Sequence, residues 1–251
     1  MNQIKIICTI GPASVEESII KKMDESGVDL FRINLSHTAV EDFLPLVETL
    51  RQWTDKPICP DTEGAQLRTG KLSQEELIVK TNDIVELVGV GNKSSNNVMP
   101  LNIYSPNNIF LVGDLVKIDF EEVLIQIIKI NTKSVVAEII TGGIIRSNKG
   151  ISVDRQIDLP YLTEKDIEVI AISNRLNIKT IFLSFCSNGE SIKELRSLFD
   201  YKITIISKVE SQSGLINIDE ICIYSDGILI DRGDLSRDVA IEKIAFAQSY
   251  I

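Results

Sequence analysis

Leu30-Phe-Arg-Ile-Asn-Leu-Ser-His37 runs directly into Thr38-Ala-Val-Glu41, so an apolar strand feeds a helix start with no hairpin between them. A strand that ends in a helix must return by a crossover, which implies parallel strand pairing. The same grammar recurs outward in both directions. Apolar runs at Ile4–Ile10, Leu30–Leu35, Ile58–Pro60, Ile181–Phe185, Ile203–Ile206 and Gly227–Ile230 read as strands. Four of the segments between them open with a hydroxyl residue followed three positions later by an acid: Ser14–Glu17, Thr38–Glu41, Thr163–Asp166 and Ser187–Glu190. That spelling predicts capping boxes. Pro45 falls inside the second helix pattern, which predicts either a kink or a start later than Thr38.

From Lys71 to Ser152 the rhythm changes. Short β-type runs at Glu76–Lys80, Ile84–Val90, Leu115–Phe120, Val123–Ile130 and Val135–Ile140 are separated by Gly and Asn turns, and Gly91–Asn97 reads as a loop. Residues 71–152 are therefore expected to form a small all-β domain, inserted into an α/β body made of residues 1–70 and 153–251. About six βα units fit that body, where a closed barrel has eight. Periodicity alone does not separate an open doubly wound sheet from a barrel.

The 251 residues carry a formal net charge of −10, which disfavours nucleic acid and anionic membrane surfaces as partners. An acidic chain can still bind an anion where its cations are gathered. No apolar run reaches the length of a bilayer span, and the first residues read as a strand rather than as a secretion signal. Cys8, Cys59, Cys186 and Cys222 lie in apolar runs without CxxC spacing and read as reduced core residues, so a cytoplasmic setting is expected.

In a parallel α/β body, chemistry gathers at the C-terminal ends of the strands. There the sequence offers Arg32, Asn34, Ser36 and His37, then Asp61, Thr62, Glu63 and Arg68. Two later strands end in Lys208 with Glu210, and in Asp231 through Asp234. Cations neutralise phosphate oxygens, and paired carboxylates hold a divalent cation. The alternative, charged residues that only cap strand ends in solvent, fits any single strand better than it fits four.

Lys5–Ser14 (KIICTIGPAS), Arg32–His37, Asp61-Thr62, Ile206–Glu210 (ISKVE) and Ser225–Leu235 (SDGILIDRGDL) resemble, in order, the motifs of the pyruvate kinase family. Leu159–Asp166 resembles the segment by which that family's chain re-enters its barrel, and Gly142-Gly143 with Asn148–Gly150 resembles the last turns of its β domain. The resemblance implies a TIM-type (β/α) barrel, here incomplete, with an inserted β domain. It implies a glycolytic phosphoryl transfer between phosphoenolpyruvate and ADP, giving pyruvate and ATP, with Mg²⁺ and K⁺. Residue by residue, Glu210 and Asp234 match Mg²⁺ ligands, and Lys208 and Arg32 match side chains on the transferring phosphoryl group. Asn34, Ser36, Asp61 and Thr62 match K⁺ ligands. His37, Arg68 and Lys149 match the nucleotide side, although His37 reads equally well as a strand-end hydrogen-bonding group. Gly233 and Asp234 offer backbone N–H groups suited to a substrate carboxylate.

The chain also departs from the family pattern. Glu63 stands where the family has Lys. Gln66 stands where it has Glu or Lys, which leaves K⁺ dependence open. Asp231 replaces a small residue, and Asp119-Phe-Glu-Glu122 replaces a glycine-containing turn. After Ala240–Ile251 no counterpart of the family's seventh and eighth strands follows. An open barrel is the expectation, with its two edge strands covered by a homodimer or a partner chain. Two other readings stay open: a non-catalytic or regulatory homologue, and a Mg²⁺-dependent lyase or aldolase acting through a pyruvate enolate.

Overall fold

The computed structural model describes residues 4–64, 66–119, 123–155, 157, 159–237 and 239–251. The chain divides into two compact units, residues 1–65 with 160–251, and residues 66–159. The first unit opens with β1 (Ile7–Ile10), α1 (Glu17–Glu25), β2 (Leu30–Asn34), α2 (Val40–Trp53) and β3 (Ile58–Asp61). The second unit holds β4 (Glu76–Val79), β5 (Ile84–Val88), β6 (Val98–Pro100), β7 (Leu115–Ile118) and β8 (Val123–Ile130). It continues with β9 (Ser134–Thr141), β10 (Gly143–Arg146) and β11 (Ile151–Val153). The chain then resumes the first unit with α3 (Glu164–Arg175), β12 (Thr180–Leu183), α4 (Gly189–Ser197) and β13 (Thr204–Val209). It finishes with α5 (Gln212–Ile216), α6 (Ile218–Tyr224), β14 (Gly227–Ile230), α7 (Arg232–Leu235) and α8 (Ile241–Tyr250).

In the first unit six parallel strands lie in the order β1-β2-β3-β12-β13-β14. Each new strand is added beside the last, so right-handed crossovers put every helix on one face and the sheet curls toward a barrel. A doubly wound sheet would reverse its order at a switch point, and none occurs here. The result is an incomplete (β/α) barrel. β3 meets β12 through the single pair Phe182↔Asp61, where the chain leaves for the second unit and returns. All four residues of β3 are buried, as expected of a parallel strand covered on both faces. β14, an edge strand, is only half-buried throughout. Two apolar clusters back the sheet. One packs Phe31, Ile33 and Ile58 against Ile20, Phe43, Val47 and Val169. The other packs Ile181, Leu183 and Ile205 against Ile192, Leu195 and Ile221.

The residue 66–159 unit has its own core, around Leu87, Val116, Ile125, Ala137 and Ile139. Its main sheet runs β11-β7-β8-β9-β5-β6, and β10 pairs with β4 in an antiparallel ribbon. β6, β10 and β11 are strands of three or four residues with no periodic signal of their own. They are strands because their neighbours supply the partners.

One of the four predicted capping boxes forms. Thr163 Oγ1 accepts from the N–H of Asp166, whose carboxylate accepts from the N–H of Thr163. Before α1, Ser14 is spent on a turn instead: its hydroxyl accepts from Gly11 N–H at 2.9 Å and donates to Gly11 O at 3.0 Å. Before α4 the cap shifts one residue to Asn188, which accepts from Ser191 N–H at 2.9 Å. α2 starts after Ala39, one residue later than Thr38, and carries Pro45 inside it. A proline there leaves one helical carbonyl without its N–H donor. No helix among the described residues is long and apolar enough to cross a membrane.

Candidate functional site

The site is built at the C-terminal ends of the parallel strands, where each strand stops and its last side chains turn toward the rim. Asp61 ends β3 and is 1% exposed. It is held by cations from two strands: Arg32 of β2 at 3.4 Å and Lys208 of β13 at 3.2 Å. Arg32 is itself fixed by Thr9 of β1, its Nε donating to Thr9 Oγ1 at 2.9 Å, and its guanidinium lies 5.7 Å from the Phe182 ring centroid. Lys208 Nζ reaches Glu210 Oε1 at 2.9 Å and donates to Ser184 Oγ at 3.0 Å. Glu210 is fully buried, and its other oxygen accepts from Phe185 N–H at 2.8 Å. Arg32, Asp61, Lys208 and Glu210 thus form one continuous chain of charges across three strands. Lys208 and Glu210 pair with each other, and Asp61 joins them.

β14 delivers the remaining acids. Glu210, Asp231 and Asp234 each offer one carboxylate oxygen, and these three oxygens lie within 4.8 Å of one another. Three hard oxygen donors at that spacing fit a Mg²⁺-type cation. Arg237 balances Asp234 at 3.2 Å. Asp231 also caps α7: its Oδ1 accepts from Gly233 N–H at 3.1 Å and Asp234 N–H at 3.3 Å. The two N–H groups expected to meet a substrate carboxylate therefore already bind a carboxylate of this chain.

The electrostatics follow from burial. Desolvation pushes the Glu210 carboxyl up to about 7, against the pull of Lys208 and the Phe185 N–H, with Asp234 adding to the rise. Asp61 is raised mainly by burial as well, opposed by Lys208 and Arg32. Burial alone would lower Lys208, but Glu210 and Asp61 outweigh it and hold the ammonium protonated above its ordinary range.

The four residues expected to take a monovalent cation lie at the ends of the neighbouring strands β2 and β3 and in the first residues after them. Asn34 stands opposite Asp61 in the β2–β3 register, and Leu35 N–H donates to Asp61 O at 3.0 Å. Asn34 Oδ1 accepts from Ser36 N–H at 2.9 Å, which closes the β2 loop. Thr62 Oγ1 accepts from Ser184 N–H at 2.9 Å, and Ser184 Oγ donates to Thr62 O at 2.6 Å. His37 is exposed at the end of the β2 loop. Arg68 and Lys149 belong to the other unit, where Arg68 donates to Asn148 O at 3.2 Å and Lys149 pairs with Asp119 at 2.9 Å. Asp119 itself has φ of 59°; the rest of its altered turn, Phe120–Glu122, lies outside the described residues.

Ser184 is absent from the sequence-derived set, although it sits at the end of β12 among the charges. The available signal was a lone hydroxyl in the apolar run Ile181–Phe185.

The family model for the pyruvate kinase barrel domain matches residues 1–251. This chain belongs to the pyruvate kinase family. It is 28% identical to a pyruvate kinase of Thermococcus litoralis, covering 100% of this chain and 54% of that protein. It is 28% identical to one of Trypanoplasma borreli, covering 98% and 51%, and 29% identical to one of Staphylococcus aureus (strain MRSA252), covering 99% and 44%. The chain spans about half the length of these pyruvate kinases.

Proposed function

We propose that this chain carries the phosphoryl-transfer site of pyruvate kinase and moves a phosphoryl group between phosphoenolpyruvate and ADP. The observation that carries this reading is Lys208, held between Asp61 and Glu210 with Asp234 beside them. Phosphoryl transfer needs positioned charge more than a covalent partner, and a fixed ammonium with a fixed guanidinium supplies it. Lys208 and Arg32 neutralise the oxygens of the transferring group. Glu210 and Asp234 would hold Mg²⁺, which when bound would supply Lewis-acid stabilisation of phosphate charge. Asn34, Ser36, Asp61 and Thr62 would hold K⁺. His37, Arg68 and Lys149 serve the nucleotide, Lys149 as a residue of the inserted β domain formed by residues 71–152.

β1 and β14 each have one strand partner among the described residues, so both sheet edges offer unpaired backbone groups. We take a second copy or a partner chain as their cover in the cytoplasm, and light scattering at micromolar concentration reads this directly as a mass above one monomer.

A second reading, a non-catalytic homologue, is favoured by Asp231 occupying the Gly233 and Asp234 N–H groups. A lactate-dehydrogenase-coupled assay with phosphoenolpyruvate, ADP, Mg²⁺ and K⁺ separates the two. Turnover that disappears in Lys208→Ala supports the kinase. Folded protein that binds Mn²⁺ and stays silent supports the non-catalytic homologue.

A further inference from the structure

The first turn of α3 touches both loops that carry the candidate monovalent-cation ligands. Lys165 Nζ donates to the carbonyl of Leu35, the residue between Asn34 and Ser36. Its neighbour Asp166 is 0% exposed and grips the other loop. Asp166 Oδ1 accepts from Glu63 N–H at 2.7 Å, and Oδ2 accepts from Gly64 N–H at 3.1 Å, immediately after Asp61 and Thr62. A capping box needs from its third residue only the bond back to the cap. Asp166 makes that bond, to Thr163 N–H at 3.0 Å, and the two loop bonds in addition. The far side of the same loop is fixed by shape. Gly64 has φ of +69°, and a Cβ there would come within 3.0 Å of Ser184 Cβ and the Phe185 ring. The Glu63–Gly64 peptide is therefore trapped between the α3 turn and the end of β12.

We propose that Lys165 and Asp166 are positioning residues that together set the separation of the Asn34–Ser36 loop and the Asp61–Thr62 loop, and so the monovalent-cation affinity of the site. One helix turn holds both loops, so a shift of that turn moves two half-sets of oxygen ligands relative to each other. Coordination of a hard cation is steep in ligand placement, and loops held by adjacent residues of one rigid turn cannot drift apart independently. The proposal rests on the reading of Asn34, Ser36, Asp61 and Thr62 as ligands given above.

The test uses Tl⁺ as the probe for the monovalent cation, followed by ²⁰⁵Tl NMR, and Mn²⁺ as the probe for the acidic cluster, followed by electron paramagnetic resonance. Lys165→Met and Asp166→Ala are each expected to weaken Tl⁺ binding by about tenfold or more while Mn²⁺ affinity moves less than about twofold. Asp166→Asn keeps an acceptor oxygen in place and is expected to lose less than Asp166→Ala. Should Asp166→Ala fail to fold, Lys165→Met, at a half-buried position, decides the matter. Unchanged Tl⁺ affinity in folded Lys165→Met, and in Asp166→Ala where it folds, overturns the proposal and leaves the ligand reading intact. Parallel loss of Tl⁺ and Mn²⁺ also overturns it, because that is general loosening. Unaltered protein that binds Mn²⁺ but no Tl⁺ refutes the ligand reading itself, and the positioning role with it.

Discussion

Glu210 is where burial and charge meet most sharply. Its carboxyl titrates near 7 in the folded chain against an ordinary value of 4.5, so the folded state holds that proton more tightly than the unfolded state does. Its contribution to stability is therefore fully present below about 4.5 and is lost as pH rises through 7. With no divalent cation added, Glu210→Gln is expected to flatten the fall in melting temperature between pH 5 and pH 8, measured against the unaltered chain in the same buffers. An equal slope in both proteins would mean that Lys208 compensates Glu210 fully. Asp231 carries a second expectation at this scale. Asp231→Ala removes one negative charge and leaves the Gly233 and Asp234 N–H donors without a side-chain acceptor. Pyruvate binding in the presence of Mn²⁺ should tighten by roughly tenfold, the factor that one charge-assisted hydrogen bond of about 1.4 kcal/mol represents. Calorimetry reads it, and unchanged affinity would mean that these N–H groups do not serve the substrate. Ser184 belongs here too, since it links Lys208, Asp61 and Thr62 through one hydroxyl.

Among the elements, α3 differs from the other helices in what its start does. Its capping box is spelled in the sequence and realised, whereas the same spelling before α1 is consumed by the Gly11–Ser14 turn. Thr163→Ala should cost about 1 kcal/mol of unfolding free energy, the usual value of a lost N-cap, read by urea denaturation. Ser14→Ala should leave the α1 start unchanged by circular dichroism, because Glu16 caps α1 without a side-chain bond. β3 shows how an element positions a site. Four consecutive buried residues leave Asp61 no route to solvent, so its charge must be met by Arg32 and Lys208. The strand's burial is thus the cause of the site's tight pairing.

At the scale of the whole molecule, the two units have separate cores, and the apolar cluster of the second is made of residues from within 66–159. A fragment spanning residues 66–159 is expected to melt cooperatively on its own, as units with a complete core do, and calorimetry checks it. The amino-acid sequence by itself determined the six βα units, the run of short β strands between them, and the identities of Arg32, Asp61, Lys208, Glu210 and Asp234. It could do so because strand-end position and residue type are local properties, readable from apolar runs and their punctuation. Periodicity left barrel and doubly wound sheet open, and the family resemblance in the motifs pointed to the barrel. Only the tertiary structure decided the strand order, because order depends on which edge each crossover reaches. It alone turned Asp231 back onto the Gly233 and Asp234 N–H groups. It alone gave Ser184 and Asp166 their tasks, since a hydroxyl in an apolar run and the third residue of a cap acquire those partners only when chain segments about 100 residues apart are folded together.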